Sequence, residues 1–382
     1  IHFDKEIVYQ SHNSDRYKEM IEFLLENDSA YICKGGDVEE DKKSRNLNLP
    51  REENMVVRFK MPQEGTTVFT DLVKGRIEVS NDLLDDFIIE RSDGSATYNF
   101  CVVVDDIDSE ITHVIRGDDH VNNTFKQINV FEAIGASVPT YGHVPMILGE
   151  DGKRLSKRHG ALGVREYSDE GILPEALKNY FLRLGWAKGD QEIFDHDEME
   201  EAFINGTLNQ SPATFSMDKL LWFNKHYLDS MNVDQLIEAI NKEEFDGDEY
   251  STSVLLAIRE RCSTLNDFVT LSSYFFEDPK NFDHTLIKKH CKSETYGHLT
   301  VLKSHLNELK EWSQISVKQS IDETAAELDV GFGKVGLPLR LALTASVNSP
   351  SIDLVCEILG KDNVLRRLDN FLGVIKSQEI DL

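Results

Sequence analysis

Ile111-Thr112-His113-Val114-Ile115-Arg116-Gly117-Asp118-Asp119-His120 is the stretch that decides the fold. Thr112 to Ile115 is rich in β-branched residues and predicts a short strand that breaks into a charged cluster. A helix follows, with Asn122 or Asn123 as its cap, Phe125, Ile128, Phe131 and Ile134 on one face, and Gly135 as its stop. Val144 to Leu148 then predicts another strand, ahead of the loop Gly149-Glu150-Asp151-Gly152. Upstream, Phe100-Cys101-Val102-Val103-Val104 is a continuous apolar run, the pattern of a strand buried on both faces, and it ends at Asp105-Asp106. Buried strands alternating with a helix predict one half of a doubly wound α/β fold, in which ligands bind beyond the carboxyl ends of the strands. The charged residues lie at those ends.

Outward from this core the texture changes. Residues 1–29 end in an amphipathic helix with Tyr17, Met20, Ile21, Leu24 and Leu25 at helical spacing. Ala30 to Arg51 is polar and Gly-containing and reads as a loop or insertion rather than core. Strand character returns at Met55 to Phe59, at Ile77 and Val79, and at Phe87-Ile88-Ile89. After Gly163 the pattern is helical almost throughout. Leu173-Pro174 opens a helix with Leu177, Tyr180, Phe181 and Leu184 inward, and a late stripe runs through Val364, Leu365, Leu368, Phe371 and Leu372.

A chain of 382 residues is too long for one core and predicts two to four domains. Its first residue is Ile1, so the natural start is expected upstream. No apolar run approaches the roughly 18 residues that cross a bilayer. The five cysteines are scattered, with no C-x-x-C pair, which argues for a reducing cytoplasm and against a thiolate zinc site. A net charge of −27 excludes strong non-specific binding to nucleic acid, yet leaves room for a local patch. Basic clusters occur at Lys153, Arg154, Lys157, Arg158 and His159, at Arg259 and Arg261, at Lys288, Lys289 and His290, and at Arg366 and Arg367. Each reads equally as a solvated face.

Three groups of residues could carry chemistry. Asp151-Gly152-Lys153-Arg154-Leu155-Ser156-Lys157-Arg158-His159-Gly160 brackets cations and a serine with glycines. Such a loop can close over a polyphosphate and neutralise the charge of departing pyrophosphate, or it is a solvated basic turn. Arg116, at a strand end, can clamp a carboxylate through two parallel hydrogen bonds, or it pairs with Asp105 or Asp106. Tyr98-Asn99 can present a phenol and an amide to a ligand, or it is edge packing.

Taken together, Asp93 to Phe100, Val103 to Asp106, Ile111 to His120 and Leu155-Ser156-Lys157-Arg158-His159-Gly160 resemble the core of the bacterial-type glutamyl-tRNA synthetases. The last of these is similar to the Lys-Met-Ser-Lys-Ser loop of class I aminoacyl-tRNA synthetases. Leu173 to Leu177, Ser211-Pro212-Ala213, Pro338-Leu339-Arg340 and Leu365 to Leu368 continue the resemblance in order along nearly the whole chain. It implies a Rossmann-type catalytic domain, with 1–29 as the remainder of its first half and 98–150 as its second. It further implies an acceptor-end-binding insertion at 30–97, a loop and stem-contact domain at 151–232, and an all-α anticodon-binding domain at 233–382.

By the same resemblance Lys157 contacts the ATP phosphates and stabilises the adenylation transition state, supported by Ser156 and Arg158. Arg154, where the family usually has Lys, joins His120 and the backbone around Met146 and Ile147 in the ATP site, Met146 and Ile147 reading the adenine. Arg116 and Tyr98 bind glutamate, Arg116 on its side-chain carboxylate. Asp118 stands where the family often has Glu. The family's His-Ile-Gly-His motif is expected upstream of Ile1, and with only Cys33 in the insertion no zinc is expected. Arg261 is the candidate anticodon contact, and Arg366 and Arg367 are either RNA contacts or a helix C-terminal pair.

The implied reaction is ATP- and Mg2+-dependent transfer of L-glutamate to tRNA(Glu) by a cytoplasmic monomer with no membrane partner. The rival readings are a non-catalytic or specialised tRNA-binding paralogue, a glutamyl-queuosine tRNA synthetase and a glutaminyl-tRNA synthetase. The helical residues after Asn232 oppose the second, and the lack of strand alternation in that tail opposes the third. Lys157→Ala is expected to slow glutamate activation at least about 100-fold, the order seen when a preorganised transition-state contact is deleted. Pyrophosphate exchange at saturating tRNA measures it, and an unchanged rate removes Lys157 from the chemistry.

Overall fold

The stripe Tyr17, Met20, Ile21 and Leu24 buries one face of helix α1 (Ser14–Glu26), as the spacing requires. The structure is a computed structural model that describes residues 6–156, 162–187 and 189–378. After α1 come β1 (Ala30–Cys33), α2 (Val38–Lys42), β2 (Val56–Phe59), β3 (Thr66–Asp71), β4 (Gly75–Ser80) and β5 (Phe87–Glu90). β2 lies between β1 and β5 in an antiparallel sheet, and β3 pairs with β4 as a hairpin. The expectation that Ala30 to Arg51 lies outside the core is corrected here. Ala30, Tyr31 and Cys33 are buried, and α2 is capped by the Asp37 carboxylate, which accepts from the Glu39 and Glu40 N–H groups. Arg58 of β2 donates to Asp41 of α2 at 2.9 Å, both side chains buried, so the polar segment is held by an internal ion pair. A strand this short carries no readable alternation.

Next come α3 (Tyr98–Asp108), β6 (His113–Gly117), α4 (Val121–Ile134) and β7 (Thr140–Val144). The strand expected at Phe100–Val104 is instead the first half of α3. Phe100, Cys101, Val103 and Val104 are buried while Val102 and Asp105 are not, the i, i+3, i+4 pattern of a helix face. An apolar run of five does not distinguish the two periods, and the packing decides. α1, α3 and α4 share one core, in which Ile21, Leu24, Phe100, Val104 and Phe131 meet Phe59 and Ile89 of the antiparallel sheet.

β6 and β7 pair in parallel, with Arg116 opposite His143. The second strand lies a few residues before the expected Val144–Leu148, because Pro145 has no N–H to donate and ends the ladder. α4 begins after His120 rather than at Asn122 or Asn123, and Gly135 terminates it with φ +78°, as read.

The remainder comprises α5 (Val164–Asp169), α6 (Pro174–Gly185), β8 (Trp186–Ala187), α7 (His196–Asn205), β9 (Thr207–Leu208), α8 (Met217–Ser230), α9 (Val233–Ile240), α10 (Glu249–Ile258), α11 (Leu265–Phe276), α12 (His284–His290), α13 (Thr295–Glu308), α14 (Gln314–Glu327), α15 (Gly333–Thr344), α16 (Ile352–Leu359) and α17 (Lys361–Gln378). Packing groups α1 to β7 with β8, α7 and β9 in one unit and α5 with α8–α17 in a second, α6 contributing to both. In α6 the inward row is Ala176, Leu177, Tyr180 and Leu184, whereas Phe181, expected inward, is 38% exposed.

The helical unit closes around Arg367. This side chain is 4% exposed and donates to the carbonyls of Tyr274 and Leu343 and, at 2.8 Å, to the Asp278 carboxylate. Replacing it strands buried acceptors, so Arg367→Leu is expected to cost about 3 kcal/mol. Thermal melting of the full chain checks this, and an unmoved transition for the helical unit contradicts it.

Candidate active site

Parallel pairing delivers Arg116 and His143 side by side to the carboxyl ends of β6 and β7, the edge where such sheets hold ligands. Arg116 Nε donates to His143 Nε2 at 3.2 Å, and Nη2 donates to Thr124 Oγ1 at 2.7 Å and to Gln127 Oε1 at 2.9 Å. The guanidinium carbon stands 5.3 Å from the centre of the Tyr141 ring. Nη1 makes no hydrogen bond, and no carboxylate pairs with Arg116, among the described residues. Uncharged acceptors and an aromatic face thus fix the cation while one donor edge stays open.

The rival in which Asp105 or Asp106 neutralises Arg116 is not what the geometry gives. Asp105 is occupied by Gln10 at 3.0 Å, Asn13 at 3.1 Å and the Tyr17 hydroxyl at 2.7 Å. Asp106 feels the Arg116 charge, yet burial dominates and pushes its carboxyl up to about 6.

Behind Arg116 lies a pair that the sequence did not advertise. His143 Nδ1 stands 2.6 Å from Asp71 Oδ2, with both side chains fully buried. Burial pulls His143 below its ordinary value, more strongly than the Asp71 hydrogen bond raises it. Burial works the other way on Asp71, but hydrogen bonds from Lys74, His143 and Val73 outweigh it and hold the carboxyl below the usual range. Asp71 ends β3 and His143 lies in β7, and no motif spacing joins positions so far apart.

Tyr98 opens α3 and is 50% exposed, its ring 6.1 Å from that of His120. The His120 carbonyl is 3.5 Å from Arg116 Nη2, and Asn99 accepts from Gln127 at 3.1 Å. Tyr98, Asn99, His120 and Arg116 therefore share one connected cluster.

Past β7 the chain folds into a tight turn. Gly149 N–H bonds to Lys153 O and Leu155 N–H to Ile147 O, with Gly152 at φ +71°. Leu148 ties this turn to Ala213 and Phe215. Arg154 reaches Asp119 at 3.2 Å, and Lys74 reaches Asp118 at 2.9 Å. Met146 packs where the chain passes Gly117, where an added Cβ would stand 3.4 Å from its sulfur and 2.8 Å from Asp119 Oδ1. Ser156 is described and partly buried. Lys157 and Arg158 lie outside the described residues.

Residues 37–222 match the family model for the catalytic domain of tRNA synthetases class I (E and Q). Residues 225–372 match that of an anticodon binding domain. The chain belongs to the class I tRNA synthetases. Two solved structures are similar to this synthetase over most of its length. One is a glutamate tRNA ligase from Elizabethkingia meningosepticum CCUG26117 in complex with its amino acid, 28% identical, with a TM-score of 0.78, covering 97% of this chain and 85% of that one. The other is a glutamate-tRNA synthetase from Elizabethkingia anophelis, also 28% identical, with a TM-score of 0.74, covering 95% of this chain and 83% of that one. The synthetase is thus an aminoacyl-tRNA ligase with a class I catalytic domain and a helical anticodon-binding domain. No helix among the described residues is long and apolar enough to cross a membrane.

Within the anticodon-binding domain, the exposed Arg261 lines a cavity of about 210 Å3 with Ile258, Leu271, Tyr274, Asn348, Ser349 and Pro350. The reading of Arg366 and Arg367 as a helix C-terminal pair is corrected. They lie in the first half of α17, not at its C-terminus, and both pair with Asp278. Buried as it is, Arg367 cannot face RNA.

Asp106 generates a pH test of this site. Its folded-state value of about 6 lies above the ordinary 3.8, so the stability it contributes is fully present below that lower value and is lost as pH rises through 6. Asp106→Asn, permanently neutral, is expected to match the wild type near pH 4 and exceed it at pH 7.5. After screening of a half-buried group, the gain is about 1–2 kcal/mol. Urea unfolding of both proteins at the two pH values measures it, and an equal gain at both removes the titration.

Proposed function

We propose that this synthetase is a glutamate–tRNA ligase, joining L-glutamate to tRNA(Glu) at the expense of ATP. The observation that carries the reading is the open donor edge of Arg116, a cation held by neutral groups and left without a carboxylate among the described residues. A guanidinium in that state favours an anionic side chain over the amide of glutamine, which would leave the charge unmatched. Tyr98, linked to the same cluster through His120, borders the amino acid.

Activation then needs ATP beside the glutamate α-carboxylate. One carboxylate oxygen attacks the α-phosphorus, the bond to the bridging oxygen breaks, and pyrophosphate leaves with that electron pair. The loop of Arg154, Ser156, Lys157 and Arg158 supplies cations for the phosphates, His120 joins the ATP site, and the backbone at Met146 and Ile147 borders the adenine. No cluster of three or more His, Cys, Asp or Glu side chains fit for a metal occurs among the described residues, which suits an Mg2+ carried mainly on the phosphates and water. When bound, that ion neutralises phosphate charge. In the second step a ribose hydroxyl of the tRNA attacks the mixed anhydride and AMP departs. Arg261 contacts the anticodon end, residues 30–97 the acceptor end, and the enzyme works in the cytoplasm.

Arg116→Leu tests the reading. Loss of a charge-assisted pair worth roughly 1.5–3 kcal/mol predicts a glutamate KM raised about 10- to 100-fold in a folded protein. A variant that keeps its glutamate KM but melts earlier would make Arg116 a structural residue.

A further inference from the structure

Arg116 aims an N–H at a ring nitrogen, and a ring nitrogen accepts only when it carries no proton. The nitrogen is His143 Nε2, 3.2 Å from Arg116 Nε and 3.0 Å from Thr124 Oγ1. A neutral imidazole facing that donor must hold its proton on Nδ1, and Nδ1 meets Asp71 Oδ2 at 2.6 Å. We infer that Asp71 and His143 form a buried positioning pair that fixes the histidine tautomer and thereby aims Arg116 at the amino-acid carboxylate. The inference rests on the reading of Arg116 as the glutamate-binding cation.

Every part of the pair is locked from another direction. Asp71 Oδ1 accepts the backbone N–H groups of Val73 and Lys74, each at 2.9 Å, and that of His143 at 3.1 Å. The His143 ring stacks on Tyr141 at 6.0 Å with an 11° tilt, and Phe69 packs against it at 6.1 Å. The turn itself is tied to the parallel strand by Leu72 N–H to Tyr141 O at 2.9 Å. A ring so held cannot rotate to present its other nitrogen. Any species with a proton on Nε2 sets N–H against N–H, and the guanidinium must withdraw. The hairpin β3–β4, outside the parallel sheet, therefore governs affinity for the amino acid. Removing one proton-selecting contact acts on binding and leaves the phosphate chemistry alone.

The decisive variant is Asp71→Asn. Its amide oxygen can keep the three backbone hydrogen bonds to Oδ1, while its NH2 replaces the oxygen that faces Nδ1 and shares the His143 N–H, and so drives the proton to Nε2. In aminoacylation by the full chain we expect the glutamate KM to rise about tenfold or more, with kcat moving far less and the KM for ATP unmoved. His143→Gln offers Arg116 an amide oxygen and has no tautomer to choose. In that background Asp71→Asn should change the glutamate KM less than about twofold, a non-additivity that a structural role does not produce.

His143→Leu, which lacks the acceptor, should raise the glutamate KM well above that of His143→Gln. This comparison stands even if Asp71→Asn fails to fold. A wild-type glutamate KM in Asp71→Asn, equal effects of that change in both backgrounds, or equal KM values for the Gln and Leu variants overturns the inference. Arg116→Leu separates the two levels. If it leaves glutamate binding intact, the reading of Arg116 falls; if it weakens binding while Asp71→Asn does not, only the positioning pair falls.

Discussion

The catalytic unit depends on a single cross-strand register, Arg116 opposite His143 in the parallel ladder. Parallel strands end together, so residues paired at their last rungs emerge as neighbours at one edge without further construction. Sliding either strand by one residue would turn the guanidinium to the opposite face of the sheet, away from Thr124 and Gln127. Pro145 contributes from the other side by ending the ladder just after the pair. The chain then turns at Gly149–Gly152 and is anchored at Leu148, which brings Arg154 to Asp119 at the same edge.

The unusual economy of the site lies in what surrounds its cation. Arg58, Arg366 and Arg367 each meet a carboxylate. Arg116 instead meets an imidazole, a hydroxyl, an amide and an aromatic face. Those groups fix its direction without neutralising it, so its charge remains for a ligand. The nearby Asp106 carboxyl makes no ion pair with it, and burial raises that carboxyl more than the Arg116 charge lowers it.

Much of this was legible in the sequence, and the misreadings have physical causes. The stripes of α1 and α17, the strand ends at Arg116, and Gly135 as a helix stop follow from periodicity and backbone preference. Helix α3 was hidden because Phe100 to Val104 is apolar at every position, so neither period shows. Its helical state is chosen by packing against α4 and against α1, the latter distant in sequence. Likewise β1 was hidden by its shortness beside Gly35 and Gly36. At the site, Arg116 and Tyr98 drew notice through their residue types at element ends. His143 and Asp71 did not, since one histidine in a strand and one aspartate at a strand end are individually ordinary. Only the fold makes them a pair.

The placement of Arg367 bears on how the helical unit comes into being. The carbonyls it captures, at Tyr274 and Leu343, belong to the final turns of α11 and α15, where helices lack partners of their own. One cation from a third helix thus finishes two others. Those two carbonyls gain this partner only once residues 361–378 have been synthesised and docked, however early α11 and α15 emerge from the ribosome. The unit must therefore fold late and as a whole, and a nascent chain paused short of α17 would expose two loose helix ends to chaperones and proteases.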